Sequence, residues 1–326
     1  ELEVRRDASG VLWIAGIAMQ PQDGAGGGFA DWVLAQRQVL VRDATITWLD
    51  ELRGAPKLLL ANVNFRLDRD GDVSRFGLTA VPPAQVAFPF VARGEFRGRD
   101  VGKALMLDGK LYAEIDHADL ALVQEWIPAP FELTSGVGSL RLWLELEGTS
   151  LRAATADVSL ADVRIRLASG VPGLALSAVQ GRLGWQQRGE RTEISATSFG
   201  FTAADGLKLA PTQFSYAQSA PAGGVRHSEL RLSGLDLAAV ARLAEFLPLD
   251  DVLRGRLTRT APSGIIEDAD FSWDADWGEG QPYAAKARFA GLSARADGAL
   301  PGFHGLRGQF DANERGGTVS LKAANG

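Results

Sequence analysis

Alternation of apolar and polar residues at a period of two governs this chain. Ser139–Glu147 reads SLRLWLELE, which sets Leu140, Leu142, Leu144 and Leu146 on one side and Arg141, Glu145 and Glu147 on the other. Only Trp143 breaks the polar side. Successive side chains of a strand point to opposite faces, whereas a helix repeats every 3.6 residues, so the pattern belongs to strands. The same alternation places Ile46 with Trp48, Phe65 with Leu67, and Val163 with Ile165 and Leu167. It also pairs Leu183 with Trp185, Leu230 with Leu232, and Phe271 with Trp273. Turn signals separate these segments at Ala8-Ser9-Gly10, Asp70-Gly71-Asp72, Arg188-Gly189-Glu190, Asp205-Gly206 and Arg315-Gly316-Gly317, where glycine supplies positive φ. The expectation is an all-β fold with a few short helices, built from meandering antiparallel hairpins.

Three stretches follow helical spacing instead. Phe29–Arg37 puts Phe29, Trp32 and Val33 on one side. Asp119 stands as an N-cap before Leu120, Val123, Trp126 and Ile127, with Pro128 ending the turn. Asp236 heads a matching segment, Leu237–Leu247, ended by Pro248. Helices this short hold only when docked on a sheet.

The chain also repeats itself loosely. LANVNFRL at Leu60–Leu67 returns as LADVRIRL at Leu160–Leu167, and DATITW at Asp43–Trp48 is echoed by DADFSW at Asp268–Trp273. ADLALVQEWIP (Ala118–Pro128) returns as LDLAAVARLAEFLP (Leu235–Pro248). Such spacings are too long and irregular for a propeller or short solenoid. They suit one elongated segment over residues 1–326, with loose repeats over about 40–167 and 160–326.

Composition narrows the function. The 46% hydrophobic and 23% charged shares are those of an ordered protein, and a net charge of -6 argues against a nucleic-acid partner. There is no cysteine, which excludes disulfides and zinc-thiolate sites. No run of about 18 apolar residues crosses a bilayer. The chain opens on Glu1 in strand-like sequence, and the expectation is a segment cut from a longer polypeptide.

Chemistry is sparse. His117, His227 and His304 share no local motif, and no G-x-S-x-G occurs. Gly24–Gly28 lacks the lysine of a phosphate loop and reads as a linker. Asp68–Asp72 has its glycine too early for a calcium loop and reads as a hairpin turn. Asp274 and Asp276, flanked by Trp273 and Trp277, are compatible with a sugar site but fit a turn better. The expectation is a protein that is not an enzyme and has no metal and no cofactor.

The informative quantity is the apolar sheet face set against the cover available to it. On the order of twenty strands face only three short helices, and sheets beyond about ten strands curl or split. The sheet can close on itself as sandwiches, the default because alternation alone does not say what covers the apolar face, or curl into a trough whose apolar face receives something greasy. An acyl chain costs about 0.8 kcal/mol per CH2 in water, roughly 12 kcal/mol for sixteen carbons, so it suits such a trough.

An ordered series of segments resembles the YhdP-type members of the AsmA-like family, large proteins of Gram-negative bacteria. It runs through LEVRRDASGVLWIAGI (Leu2–Ile17), DATITWLDELRGAPKLLLANVNFRL (Asp43–Leu67) and GEFRGRD (Gly94–Asp100). It continues in GKLYAEIDHADLALVQEWIP (Gly109–Pro128), GSLRLWLELEGTSLRAATADVSLADVRIRL (Gly138–Leu167) and LPGFHGLRGQFDANERGGTVSL (Leu300–Leu321). The resemblance implies a long, curled antiparallel sheet forming an elongated hydrophobic groove, in a periplasmic body anchored in the inner membrane by a segment not present here. It implies movement of phospholipid between inner and outer membranes, with no catalytic residues. Acyl chains are then the partner, envelope proteins a further one, and a scaffolding β-sandwich the alternative. The residues expected to line the groove are Ile46, Trp48, Phe65, Leu67, Leu140, Leu142, Leu144, Val163, Ile165, Leu183, Trp185, Phe271 and Trp273.

Overall fold

The computed structural model describes residues 1–18, 36–97, 108–127, 131–148, 150–221, 223–274, 282–298 and 301–322. All-β architecture is observed: among the described residues 18 strands belong to one hydrogen-bonded sheet. The chain divides into two compact units, Glu1–Ala129 with Ser135–Val158, and Pro130–Thr134 with Ser159–Gly326.

The first unit holds β1 (Leu2–Arg6), β2 (Leu12–Ile14), β3 (Ile17–Ala18), β4 (Gln38–Asp50), β5 (Ala55–Asp70), β6 (Val73–Val81), β7 (Phe90–Arg97), β8 (Asp108–Asp119) and most of β9 (Glu132–Glu147). β4 to β9 form an antiparallel meander in chain order. β1 departs from that rule and lies parallel to β4, with Leu2 beside Ile46 and Arg6 beside Asp50. The buried carboxylate of Asp50 accepts from the Arg6 guanidinium and fixes this register. β10 (Ser150–Arg166) runs from the first unit into the second.

The second unit continues with β11 (Leu174–Arg188), β12 (Arg191–Ala203), β13 (Lys208–Ser219), β14 (His227–Asp236), β15 (Ser263–Asp274), β16 (Tyr283–Ala294), β17 (Phe303–Asn313) and β18 (Gly316–Lys322). β11 to β18 are again an antiparallel meander. The expected turns fall between strands. Gly71 has φ +62° between β5 and β6, Gly189 +57° between β11 and β12, and Gly206 +87° between β12 and β13.

Three helices are described. α1 (Leu120–Val123) and α2 (Leu237–Leu243) each follow a strand directly, and the side chains of Asp119 and Asp236 accept from the second and third amides beyond them. Both N-caps stand where the sequence places them, but each helix ends early and passes into looser turns. α3 (Asp251–Thr260) is not anticipated by sequence pattern: Gly255 interrupts it, and Val252, Leu253 and Leu257 make no continuous apolar stripe. Most of the Phe29–Arg37 stretch, and all of Gly24–Gly28, lie outside the described residues.

The sequence echoes have a backbone cause. Asp43, Asn62, His117, Asp162 and Ser198 all have φ near +50°, each inside a strand. Ladder registers slip at Asp43, Asn62, His117 and Ser198, which identifies β-bulges. Asp and Asn tolerate the left-handed region because a short polar side chain bonds locally. The residue after the bulge turns inward: Val63 and Ala118 are 0% exposed and Val163 3%.

Candidate functional site

Residues directly opposite in antiparallel strands share a face, so the registers show how the alternating segments combine. In the first unit Val39, Leu67, Phe76, Gly94, Leu111 and Leu144 meet in succession from β4 to β9. Beside that rung run Val41, Phe65, Leu78, Ala92, Ala113 and Leu142, and then Ala80, Phe90, Ile115 and Leu140. The bulges at Asp43 and Asn62 each add one residue, which keeps the Ile46/Leu60 and Trp48/Leu58 pairs on this same face. Gly94 completes its rung through a neighbour. A Cβ there would stand 2.6 Å from the Phe76 ring, so the phenyl group covers the glycine.

The second unit repeats the arrangement. Leu183, Ala196, Phe214, Leu232, Ala269, Ala287, Phe310 and Val319 form one rung from β11 to β18. Trp185, Ile194, Tyr216, Leu230, Phe271, Ala285 and Ala312 form the next. Trp273 faces Tyr283 one rung further out and packs 6.2 Å from Tyr216 between ring centroids.

The opposite face is made for water. Oppositely charged residues stand directly across ladders: Arg75–Glu95 at 2.8 Å, Lys110–Glu145 at 3.0 Å and Arg141–Glu114 at 2.8 Å in the first unit. Arg231–Asp270 at 3.1 Å and Lys286–Asp311 at 2.9 Å do the same in the second. Hydrogen bonds from Arg75 hold the Glu95 carboxyl below its ordinary pKa, and those from the Tyr112 hydroxyl and Arg141 do so for Glu114. Exposed pairs of this kind add little stability but fix register, because a one-residue slip would set these charges against residues of the apolar face and turn the apolar side to water.

Cover over the apolar face is local. In the second unit α2 lies on Val163, Leu176, Val179, Phe201, Ala203 and Leu209 through Ala239 and Leu243, closing a core. In the first unit the segment after α1 reaches the β4–β5 hairpin, where Trp126 donates to the Pro56 carbonyl at 2.8 Å and Arg53 donates to the Trp126 carbonyl. Away from these ends the rungs have no such layer among the described residues. Leu183 is 38% exposed, Ile194 45% and Phe214 36%. Among the described residues the largest side chains less than 2% exposed are Val63 and Ser228. A closed sandwich of this many strands would bury many leucines and phenylalanines completely.

The expected lining residues therefore divide by environment. Ile46, Trp48, Phe65, Leu67, Leu140, Leu142 and Leu144 share the apolar face of the first unit, with Leu67 buried and the others half-buried. Leu183, Trp185, Phe271 and Trp273 share that of the second. Val163 and Ile165 sit in or against the core beneath α2. Phe76, Phe214, Tyr216 and Phe310 belong to the same faces and are additional to the expected set. Gln213–Gln218 does alternate, but only the ladder registers tie it to its neighbours.

The three histidines have separate partners. His117 stacks on Phe88 at 4.9 Å, His227 bonds Asp274 at 2.7 Å, and His304 lies 3.2 Å from the Ser293 hydroxyl. No group of three or more metal-ligating side chains occurs among the described residues. Asp276 and Trp277 lie outside them.

Among the described residues no helix is long and apolar enough to cross a membrane. No curated protein and no solved structure matches the chain. A family model described as YhdP protein matches residues 1–326, the full length over which both sets of apolar rungs are laid out. The chain belongs to the YhdP family.

Proposed function

We propose that this chain is a segment of a bridge-like lipid-transfer protein that moves phospholipid between the inner and outer membranes along its apolar sheet face. The observation that carries the reading is the set of rungs without a covering layer among the described residues, of which the rung from Leu183 to Val319 is the longest. Apolar faces left open on a protein mark a binding surface for something apolar. A rung presents similar side chains strand after strand, so an acyl chain moving across the strands exchanges one apolar contact for an equivalent one. The hydrophobic term is non-directional, and no step requires breaking a specific bond. The reading needs no catalytic residue, cofactor or metal, and it places the segment in the periplasm of a protein anchored in the inner membrane. Membership of the YhdP family supports it.

Native mass spectrometry of gently purified protein tests the proposal. Phospholipid is expected to accompany the chain. A sample that is consistently free of lipid, and that takes up no photo-crosslinkable phospholipid, overturns it.

One observation favours a scaffolding role instead. Every residue of β18 is exposed, with Val319 at 66% and Leu321 at 54%, and such an edge can pair with a strand of an envelope protein. Lipid uptake that survives blocking of β18 by Thr318→Pro and Ser320→Pro separates the two roles.

A further inference from the structure

We propose that in the second unit α2 acts as an end stop that sets the longest acyl chain the apolar face accepts. The inference rests on the lipid reading above and adds an orientation to it. The chain lies along the strands, with its polar end at the hairpin ends and its terminal methyl group toward α2.

Three observations lead there. First, among the described residues of the second unit the cover over the apolar face lies at one end, under α2. Phe199, on β12, is where the uncovered face meets the core under α2, and Leu243 contributes to that core from the helix. Second, the open end carries amphipathic rings. Trp185 and Tyr216 lie three residues from the ends of β11 and β13, and Trp273 and Tyr283 lie at the ends of β15 and β16. Beyond them the same face turns polar, with Gln187, Thr192, Gln218 and Ser228 opposite one another in succession from β11 to β14. Rings with an apolar body and a polar edge settle where hydrocarbon gives way to headgroup. An apolar floor, an aromatic band and a polar rim on one face match the parts of an amphiphile in order.

Third, the depth fits. From Thr192 near the rim to Phe199 at the cover, β12 runs about 24 Å at 3.4 Å per residue. One leaflet of a bilayer has a hydrocarbon layer of about 15 Å. An ordinary acyl chain is therefore held along its length, and a substantially longer one runs into α2. Because the rungs run across the strands, a chain aligned with them keeps its depth as it passes from one strand to the next.

The test is the affinity of the 326-residue chain for single-chain lysophospholipids of increasing acyl length, read by displacement of a fluorescent fatty acid. Each added methylene is expected to tighten binding about fourfold, which is 0.8 kcal/mol at 1.4 kcal/mol per tenfold, up to a break beyond which affinity stops rising. Leu232→Trp fills the deep end of the uncovered face and should move the break to shorter chains. Leu243→Ala makes room on the α2 side and should move it to longer ones. Trp273→Ala, at the rim, should weaken all lengths by a similar factor and leave the break in place. Where Leu243→Ala fails to fold, Leu232→Trp decides alone. Binding with no break, or with a break that Leu232→Trp does not shift, overturns the end stop while leaving lipid binding intact. Absence of binding at every length overturns the lipid reading itself, and the end stop with it.

Discussion

Single residues set where the strands bend. Asn62 holds φ +49° inside β5, and the slip it introduces delivers Val63 to a fully buried position. A β-branched residue cannot adopt that conformation cheaply, so Asn62→Val is expected to lower stability by about 1–2 kcal/mol, with Asn62→Gly nearly neutral. Urea denaturation of the two variants measures the difference. Asp7 is a second such point. Its carboxylate accepts from the Ser9 hydroxyl at 2.6 Å, the Trp13 indole at 2.8 Å, and the amides of Ser9 and Val11. Those bonds, led by the ones from Ser9 and Trp13, push its pKa down to about 2. A carboxyl whose folded pKa is depressed contributes stability that is complete above its ordinary value near 3.8 and is lost as pH falls through about 2. Asp7→Asn should remove that part of the acid dependence, which appears as a shallower fall of the urea midpoint over that interval.

At the scale of elements, the helices after β8 and β14 decide which apolar surface is closed. Asp236→Ala removes the bonds to Ala238 and Ala239 that start α2, at an expected cost of about 1 kcal/mol by urea denaturation. The strands and both N-caps were legible because each is written locally: period two in Leu140–Leu146, and an aspartate before an apolar turn in Asp119 and Asp236. What was not legible depends on distant partners. Val163-Arg164-Ile165 and Leu140-Arg141-Leu142 alternate alike, yet the first is covered by a helix more than seventy residues later and the second is not. Nothing within either segment records that difference. The bulges were visible only as an unexplained echo of Asp or Asn before Ala or Val. The echo does not hold at Asp268, which lacks the left-handed backbone that marks Asp43, Asn62 and Asp162. α3 is capped by Asp250 as α1 and α2 are by their aspartates, but it carries no apolar stripe, and part of what fastens it lies beyond its C-terminal end. Arg259 pairs with Asp297 through bonds of 3.0 and 3.2 Å, and the Arg295 amide donates to the Thr260 carbonyl.

Across the whole chain, each unit has the same plan: an antiparallel meander, a charged face with complementary cross-strand pairs, an apolar face crossed by rungs, and a capping segment launched from an aspartate. The consequence is that two residues equal in hydrophobicity respond differently to charge. An aspartate at Leu142 or Phe214 keeps its carboxylate in reach of water, whereas one at Val163 is buried unpaired in a closed core, at a cost of several kcal/mol. The most direct measurement compares Leu142→Asp, Phe214→Asp and Val163→Asp for folding by circular dichroism and for labelling by a photo-crosslinkable phospholipid. The account predicts that the first two keep the strand signal and lose most of the labelling, while Val163→Asp unfolds its unit. Unfolding by Leu142→Asp and Phe214→Asp as severe as that by Val163→Asp would mean that a second layer of protein already occupies the apolar face, and would contradict it.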